Sequence, residues 1–194
     1  MSRINELLEI LNSSAHLGEE ITPNGARLIG FVKDERLGIR RWWHFVFPGL
    51  TANQVDDLGE EVGITIPSVF ADFLRSMNGL TAFSGAFCIY GARLSLDRLS
   101  KDAYPYPLGS PNLLERPKGA SSNMLFIGGY GWDGSNLYIE IDTGKIFRCP
   151  RKSVETLNEW PDFWSMLISE VRRISTLYES DGRKKSLSEP TVPI

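Results

Sequence analysis

The chain has 194 residues, 42% of them hydrophobic and 23% charged, and its 24 acidic against 21 basic side chains leave a net charge of -3. At roughly 150 residues per domain this length predicts one domain. The basic residues gather only in Arg36, Arg40 and Arg41 and in Arg183, Lys184 and Lys185, so the basic stripe of a nucleic-acid-binding protein is missing and no direct nucleic-acid partner is expected.

After Met1-Ser2-Arg3 the chain enters an amphipathic pattern at once, without the apolar stretch and cleavage site of a secretory signal. Ile4, Leu7, Leu8 and Leu11 recur at helical spacing, with Ser2 as cap, and predict a short helix ending near residues 12–14. Asn12-Ser13-Ser14 matches a glycosylation sequon by coincidence at that helix end. Residues 28–32 and 42–47 are β-branched and aromatic and predict one or two strands around a charged turn at 33–38, with Pro48-Gly49 as the stop. Thr51 and Gln54 form a capping box for a helix over 52–62, closed by Gly63. Pro67 suits a first helical position, and Phe70, Phe73, Leu74 and Met77 carry a second helix as far as Asn78-Gly79.

Residues 86–90 predict a strand, and 94–99 a helical turn or a short strand. Four prolines and two glycines between 104 and 122 predict a long surface loop. A buried strand over 124–127 leads to a glycine-rich stretch at 128–134, and a hairpin pairs 136–142 with 145–149 around Asp142-Thr143-Gly144. Trp160, Phe163, Trp164, Leu167, Ile168, Val171, Ile174 and Tyr178 form the strongest helical stripe, with Pro161 in its first turn. The polar residues 180–194 predict a disordered tail. The fold class is α+β: residues 1–179 form a single domain with a mostly antiparallel sheet and helices packed mainly on one face. The longest uncharged run, 76–92, is broken by polar residues and glycines, so no membrane span is expected and a cytoplasmic protein is.

No residue set carries catalysis. Cys88, Cys149, His16 and His44 lie far apart and match no metal-ligand or disulfide spacing, so no metal, cofactor or disulfide scaffold is expected. The glycine-rich stretch at 128–134 runs into a strand, with no following helix and no Lys-Ser/Thr pair to hold phosphate. Glu140 and Asp142 alternate on one strand face, where solvent exposure explains them as well as acid-base work does, and neither Ser84 nor Ser135 sits in a nucleophile elbow. Binding by a surface is the better expectation. Trp42, Trp43, Tyr130 and Trp132 are candidate anchors, of which about two are expected in the core. Asp133 with Asp56, Asp57, Glu60 and Glu61 completes the candidate partner surface, the last four as an acidic rim.

The acidic capped helix 51–62, the step Gly63-Ile64-Thr65-Ile66-Pro67, and the helix through Phe70, Phe73 and Leu74 to Asn78-Gly79 resemble the SUKH superfamily. Phe126-Ile127-Gly128, Asp133-Gly134, the strand 137–141 and Thr143-Gly144 extend the resemblance, which covers about residues 50–171. Ile66 stands where that group often has Leu, and the proline-rich 104–122 and Trp42-Trp43 lie outside the shared pattern, where specificity can reside. The superfamily includes yeast cell-wall-assembly regulators and bacterial immunity proteins. The resemblance therefore implies an α+β fold and a non-enzymatic immunity protein, a monomer or weak dimer, whose partner is a cognate toxin domain, for instance a nuclease. The alternatives are a regulatory or scaffolding module, and thirdly a small-ligand binder or enzyme using a pocket near Asp133 and Glu140.

Overall fold

Ser2 caps α1 (Arg3–Asn12) by accepting a hydrogen bond from the Asn5 amide at 3.3 Å, and Leu7 and Leu11 on its inner stripe are fully buried. The computed structural model describes residues 2–34, 38–97 and 100–194. After α1 come three strands, β1 (Glu19–Ile21), β2 (Arg27–Asp34) and β3 (Ile39–Pro48). The segments at 28–32 and 42–47 thus belong to two antiparallel strands, in register with Phe31 opposite Trp42. Arg36, with the tip of the turn between them, lies outside the described residues.

The capping box forms: the Gln54 amide donates to Thr51 Oγ1 at 3.3 Å, and the Thr51 amide donates to Gln54 Oε1 at 2.9 Å. It starts α2 (Ala52–Val62), which ends at Gly63 in the left-handed conformation, φ 70°, that glycine adopts without a Cβ clash. In α3 (Ser68–Ser76), Pro67 holds the cap position rather than the first turn. The chain leaves this helix two residues earlier than expected. Met77–Ala82 is strand β4, and Asn78-Gly79 lies inside it. Gly79 has φ 81°, and a side chain there would meet the Ile89 carbonyl at 2.7 Å, so this close strand crossing requires glycine.

The sheet continues through β5 (Phe87–Ile89), β6 (Met124–Tyr130), β7 (Asn136–Glu140), β8 (Ile146–Cys149) and β9 (Asn158–Trp160) before α4 (Phe163–Ser175). Among the described residues its nine strands lie in chain order and every neighbouring pair is antiparallel, which gives the expected α+β class. Trp160 belongs to β9 and Asp162 is the α4 cap, accepting from the Ser165 amide at 2.8 Å, so Pro161 precedes the helix. The described part of 94–99, up to Asp97, is neither helix nor strand, and Leu99 lies outside the described residues.

Strand alternation gives the sheet two different faces. Leu125, Ile127, Leu137, Ile139 and Ile146 join the large core that also takes Leu7, Phe70, Phe73, Phe163 and Leu167 from the helices. Phe163 meets Phe73 at 5.1 Å and Phe70 at 5.5 Å between ring centroids. Each such ring contributes about 1.5–3 kcal/mol on burial. On the other face Phe126, Tyr138 and Cys149 form a small separate cluster.

The proline-rich stretch covers part of that second face and is more ordered than a plain surface loop. Residues Ser110–Leu114 form a π-helical turn in which Pro111 and Asn112 are buried. Three asparagines tie the long connection down by one device, an amide that pairs with both the N–H and the C=O of a single residue. Asn24 does so with Ala103, Asn78 with Ala92, and Asn112 with Phe126 at 2.8 and 2.9 Å. Each pair satisfies backbone groups that have no strand neighbour there.

Residues 180–194, expected to be disordered, pack back on the domain. Thr191 and Val192 are buried, Arg173 donates to the Thr191 carbonyl at 2.6 Å, and Arg148 donates to the Pro193 carbonyl at 2.9 Å. Composition hides this, because the segment is held by its carbonyls rather than by an apolar stripe.

Candidate protein-binding surface

Two of the four candidate aromatic anchors are core residues. Trp43 is buried against Phe83 and Tyr178, with centroids at 5.6 and 5.4 Å. Tyr130 is buried against Phe87, and its hydroxyl donates to Glu170 Oε2 at 2.7 Å. Neither offers surface to a partner, which removes Trp43 and Tyr130 from the candidate set. Trp42 is half-buried against Phe31 at 4.9 Å. Trp132, 40% exposed, is the outward ring, and the Lys184 ammonium sits 4.5 Å from its centroid.

Asp133 is also committed to the fold. Its carboxylate accepts from Arg148 at 2.6 Å and from the Ser135 amide at 2.9 Å. Partial burial pushes its pKa up, but the Ser135 and Arg148 hydrogen bonds outweigh that and hold it below the usual carboxylate range. Arg148 is a buried hub that also donates to Ser135 Oγ, Asn158 Oδ1 and the Pro193 carbonyl. Beside it, Glu170 binds Tyr130 and pairs with Arg173 at 2.7 Å. Burial first, and then the neighbouring Glu170 carboxylate, drives the Tyr130 pKa far up, so the phenol stays protonated and donates. This network joins the turn after β6, α4 and the C-terminal segment. Sequence reasoning missed Arg148 and Glu170, although a charge at an inward position of a strand and a Glu on the apolar stripe of α4 were both readable signals.

Glu140 and Asp133 lie towards opposite ends of β7, and Glu140 accepts from Thr143 Oγ1 at 2.6 Å. Among the described residues no group of three or more His, Cys, Asp and Glu side chains is placed to hold a metal ion. His44 is buried, accepts the Phe83 amide on Nδ1 at 3.3 Å, and is held neutral by burial, which lowers its pKa to about 3. Burial raises the Cys88 thiol to about 11, which leaves it un-ionised at neutral pH.

The acidic rim is exposed. Asp56, Asp57, Glu60 and Glu61 all lie on the outer side of α2, opposite Val55, Leu58 and Val62. Among the described residues none of the four takes part in an ion pair. Glu61 neighbours the proline-rich stretch, where a side chain on Gly109 would meet Glu61 Oε1 at 2.5 Å and Leu113 Cδ1 at 3.6 Å, while Asp56 and Glu60 line a groove with Arg75 of α3. From that stretch Leu113 is 50% and Leu114 83% exposed, and Tyr106 is exposed as well. Exposed apolar side chains with a carboxylate beside them are common at protein interfaces.

A small apolar cluster thus lies beside an acidic helix on an antiparallel meander. The model of the SMI1 / KNR4 family (SUKH-1) matches residues 49–169, and the chain belongs to that family. The match runs from just before the cap of α2 into α4 and includes the acidic helix, the Asn78-Gly79 strand and the proline-rich stretch. No curated protein matches the chain. The family is consistent with an immunity or regulatory protein acting through protein contacts and is generally non-catalytic. No described helix is long and apolar enough to cross a membrane.

Proposed function

We propose that this protein is an immunity protein that binds a cognate toxin domain and neutralises it by occlusion, in the cytoplasm of the cell that makes it. The observation that carries the proposal is the exposed acidic face of α2, whose Glu61 lies beside the proline-rich stretch that exposes Leu113 and Leu114. An interface needs roughly 800 Å² per partner, and this side of the molecule offers exposed apolar residues with Glu61 of the acidic helix beside them. A basic toxin, such as a nuclease, meets that helix favourably, and the carboxylates speed its encounter at low salt. The toxin partner rests on family membership together with this charge pattern.

The test is genetic and then biochemical. A strain that keeps the adjacent toxin gene but lacks this gene stops growing. The intact gene restores growth, and a gene carrying Asp56→Asn, Asp57→Asn, Glu60→Gln and Glu61→Gln restores it poorly, with weaker binding to the purified toxin domain. Equal survival of the deleted strain overturns the immunity reading. The second reading, a regulatory module, is kept by the family match itself. It predicts several housekeeping partners in a pull-down where the immunity reading predicts one toxic domain.

A further inference from the structure

Next to Trp132 lies a cavity of about 180 Å³, away from the acidic helix. Four separate stretches of chain line it: residues 32–34 of β2 with Arg41 and Trp43 of β3, the turn at 83–86, the loop at 131–132, and the segment from Tyr178 to Thr191. Its apolar wall is a cluster of three rings. Trp43 meets Phe83 and Tyr178 edge-on, and Phe83 stacks on Tyr178 at 5.6 Å.

Among the described residues that line it, the charged ones are Arg41, Lys33, Lys184 and Asp34, three positive against one negative. Arg41 gives one Nη to Asp34 at 2.8 Å, while its Nε–H is buried without an acceptor among the described residues. On the C-terminal wall Thr191 is 3% exposed, and its hydroxyl is likewise buried without a partner among the described residues. Between them Phe83 and Ser84 hold φ of 53° and 56°, the left-handed region that a bulky side chain rarely enters. Orphaned polar atoms and left-handed non-glycine residues both cost stability, and they collect where a ligand compensates them.

We infer that this cavity is a binding site for a small organic carboxylate with a flat apolar body, a benzoate-like monoanion. The size fits one ring with a short substituent, since an apolar cavity of about 150 Å³ already accepts benzene. The ring lies against the aromatic wall, and the carboxylate is drawn by the positive charges of Arg41, Lys33 and Lys184 that line the cavity, leaving the Asp34 pair in place. A cation is repelled by the same three charges, and a neutral ring gains nothing from them. Because Lys184 and Thr191 belong to the C-terminal segment, an occupied site also fastens that segment to the domain. The inference is independent of the toxin-binding surface on α2.

The experiment is an NMR titration of the full chain with benzoate, benzyl alcohol and benzylamine, read at the indole N–H signals of Trp43 and Trp132. Benzoate is expected to shift both signals saturably, benzyl alcohol to bind about tenfold more weakly, and benzylamine to leave them unmoved. Arg41→Gln is expected to weaken benzoate about tenfold. Should that variant fold poorly, Lys33→Gln, on an exposed side chain, provides the same comparison with a loss of about two- to threefold. No saturable shift with benzoate, equal binding of the three probes, or benzoate affinity unchanged in a well-folded Arg41→Gln overturns the site.

Discussion

On its helix side the sheet is sealed by apolar packing, with Phe70, Phe73, Phe163 and Leu167 fully buried against Leu125, Ile127 and Ile139. On its other side the proline-rich stretch is held by directed hydrogen bonds: the Asn112 amide on Phe126, the Arg116 guanidinium donating to the Ser121 and Met124 carbonyls, and the same guanidinium 5.5 Å from the Phe126 ring centroid. Packing is non-directional and gives stability. Directed polar contacts give less energy but fix where a segment lies. The side that needs only stability uses the first, and the side that displays Leu113 and Leu114 uses the second.

Substitutions can break this contrast, beginning with the largest effect. Phe163→Ala empties the middle of the helix-side core and is expected to cost about 3–5 kcal/mol in urea unfolding. A loss close to 1 kcal/mol would mean that packing does not dominate that face. Asn112→Ala strands the Phe126 N–H and C=O and is expected to cost about 1–3 kcal/mol. Its signature is local: faster amide hydrogen exchange in 104–122 with α4 unchanged, and uniform acceleration would contradict the division of labour between the faces.

The third test is pH. Buried His44 has a folded pKa of about 3 against 6.5 for the unfolded chain. Below 6.5 the unfolded state takes up a proton that the native state refuses, so stability is full above that value. It falls by about 1.4 kcal/mol per pH unit on acidification towards 3. His44→Gln keeps a polar side chain beside the Phe83 amide and is expected to flatten that slope by one proton, as chemical unfolding at several pH values would reveal. The smallest effect on stability belongs to α2. Asp57→Asn is expected to change it by no more than about 0.5 kcal/mol while slowing association with a basic partner and weakening its salt dependence. An unchanged association rate would detach the acidic face from binding.

Elements with a long stripe or an explicit cap were legible in the sequence: α1 with Ser2, α2 with its capping box, and the hairpin around Gly144, whose φ of 72° fits the turn. Strands β1 and β9 were not, because three residues carry no usable period. Met77–Ala82 continued the helical stripe of α3 by one residue, and only pairing with β3 and β5 makes it a strand. Of the candidate surface, the carboxylates of α2 were readable as the polar side of an amphipathic helix. The partition of the aromatics was readable only as an alternation, and nothing in sequence ties Glu61 to Gly109 or Arg148 to Pro193, since both contacts bridge distant segments.

By itself the sequence determined a mildly acidic α+β chain of the SUKH type, because caps, glycine turns and apolar periods are local signals that survive without partners. Tertiary structure decided which aromatic rings lie inside, that residues 180–194 close over the domain, and that Glu61 of the acidic helix lies beside Gly109 of the proline-rich stretch. These outcomes depend on contacts between residues far apart in the chain, and such contacts are settled only when the whole core forms.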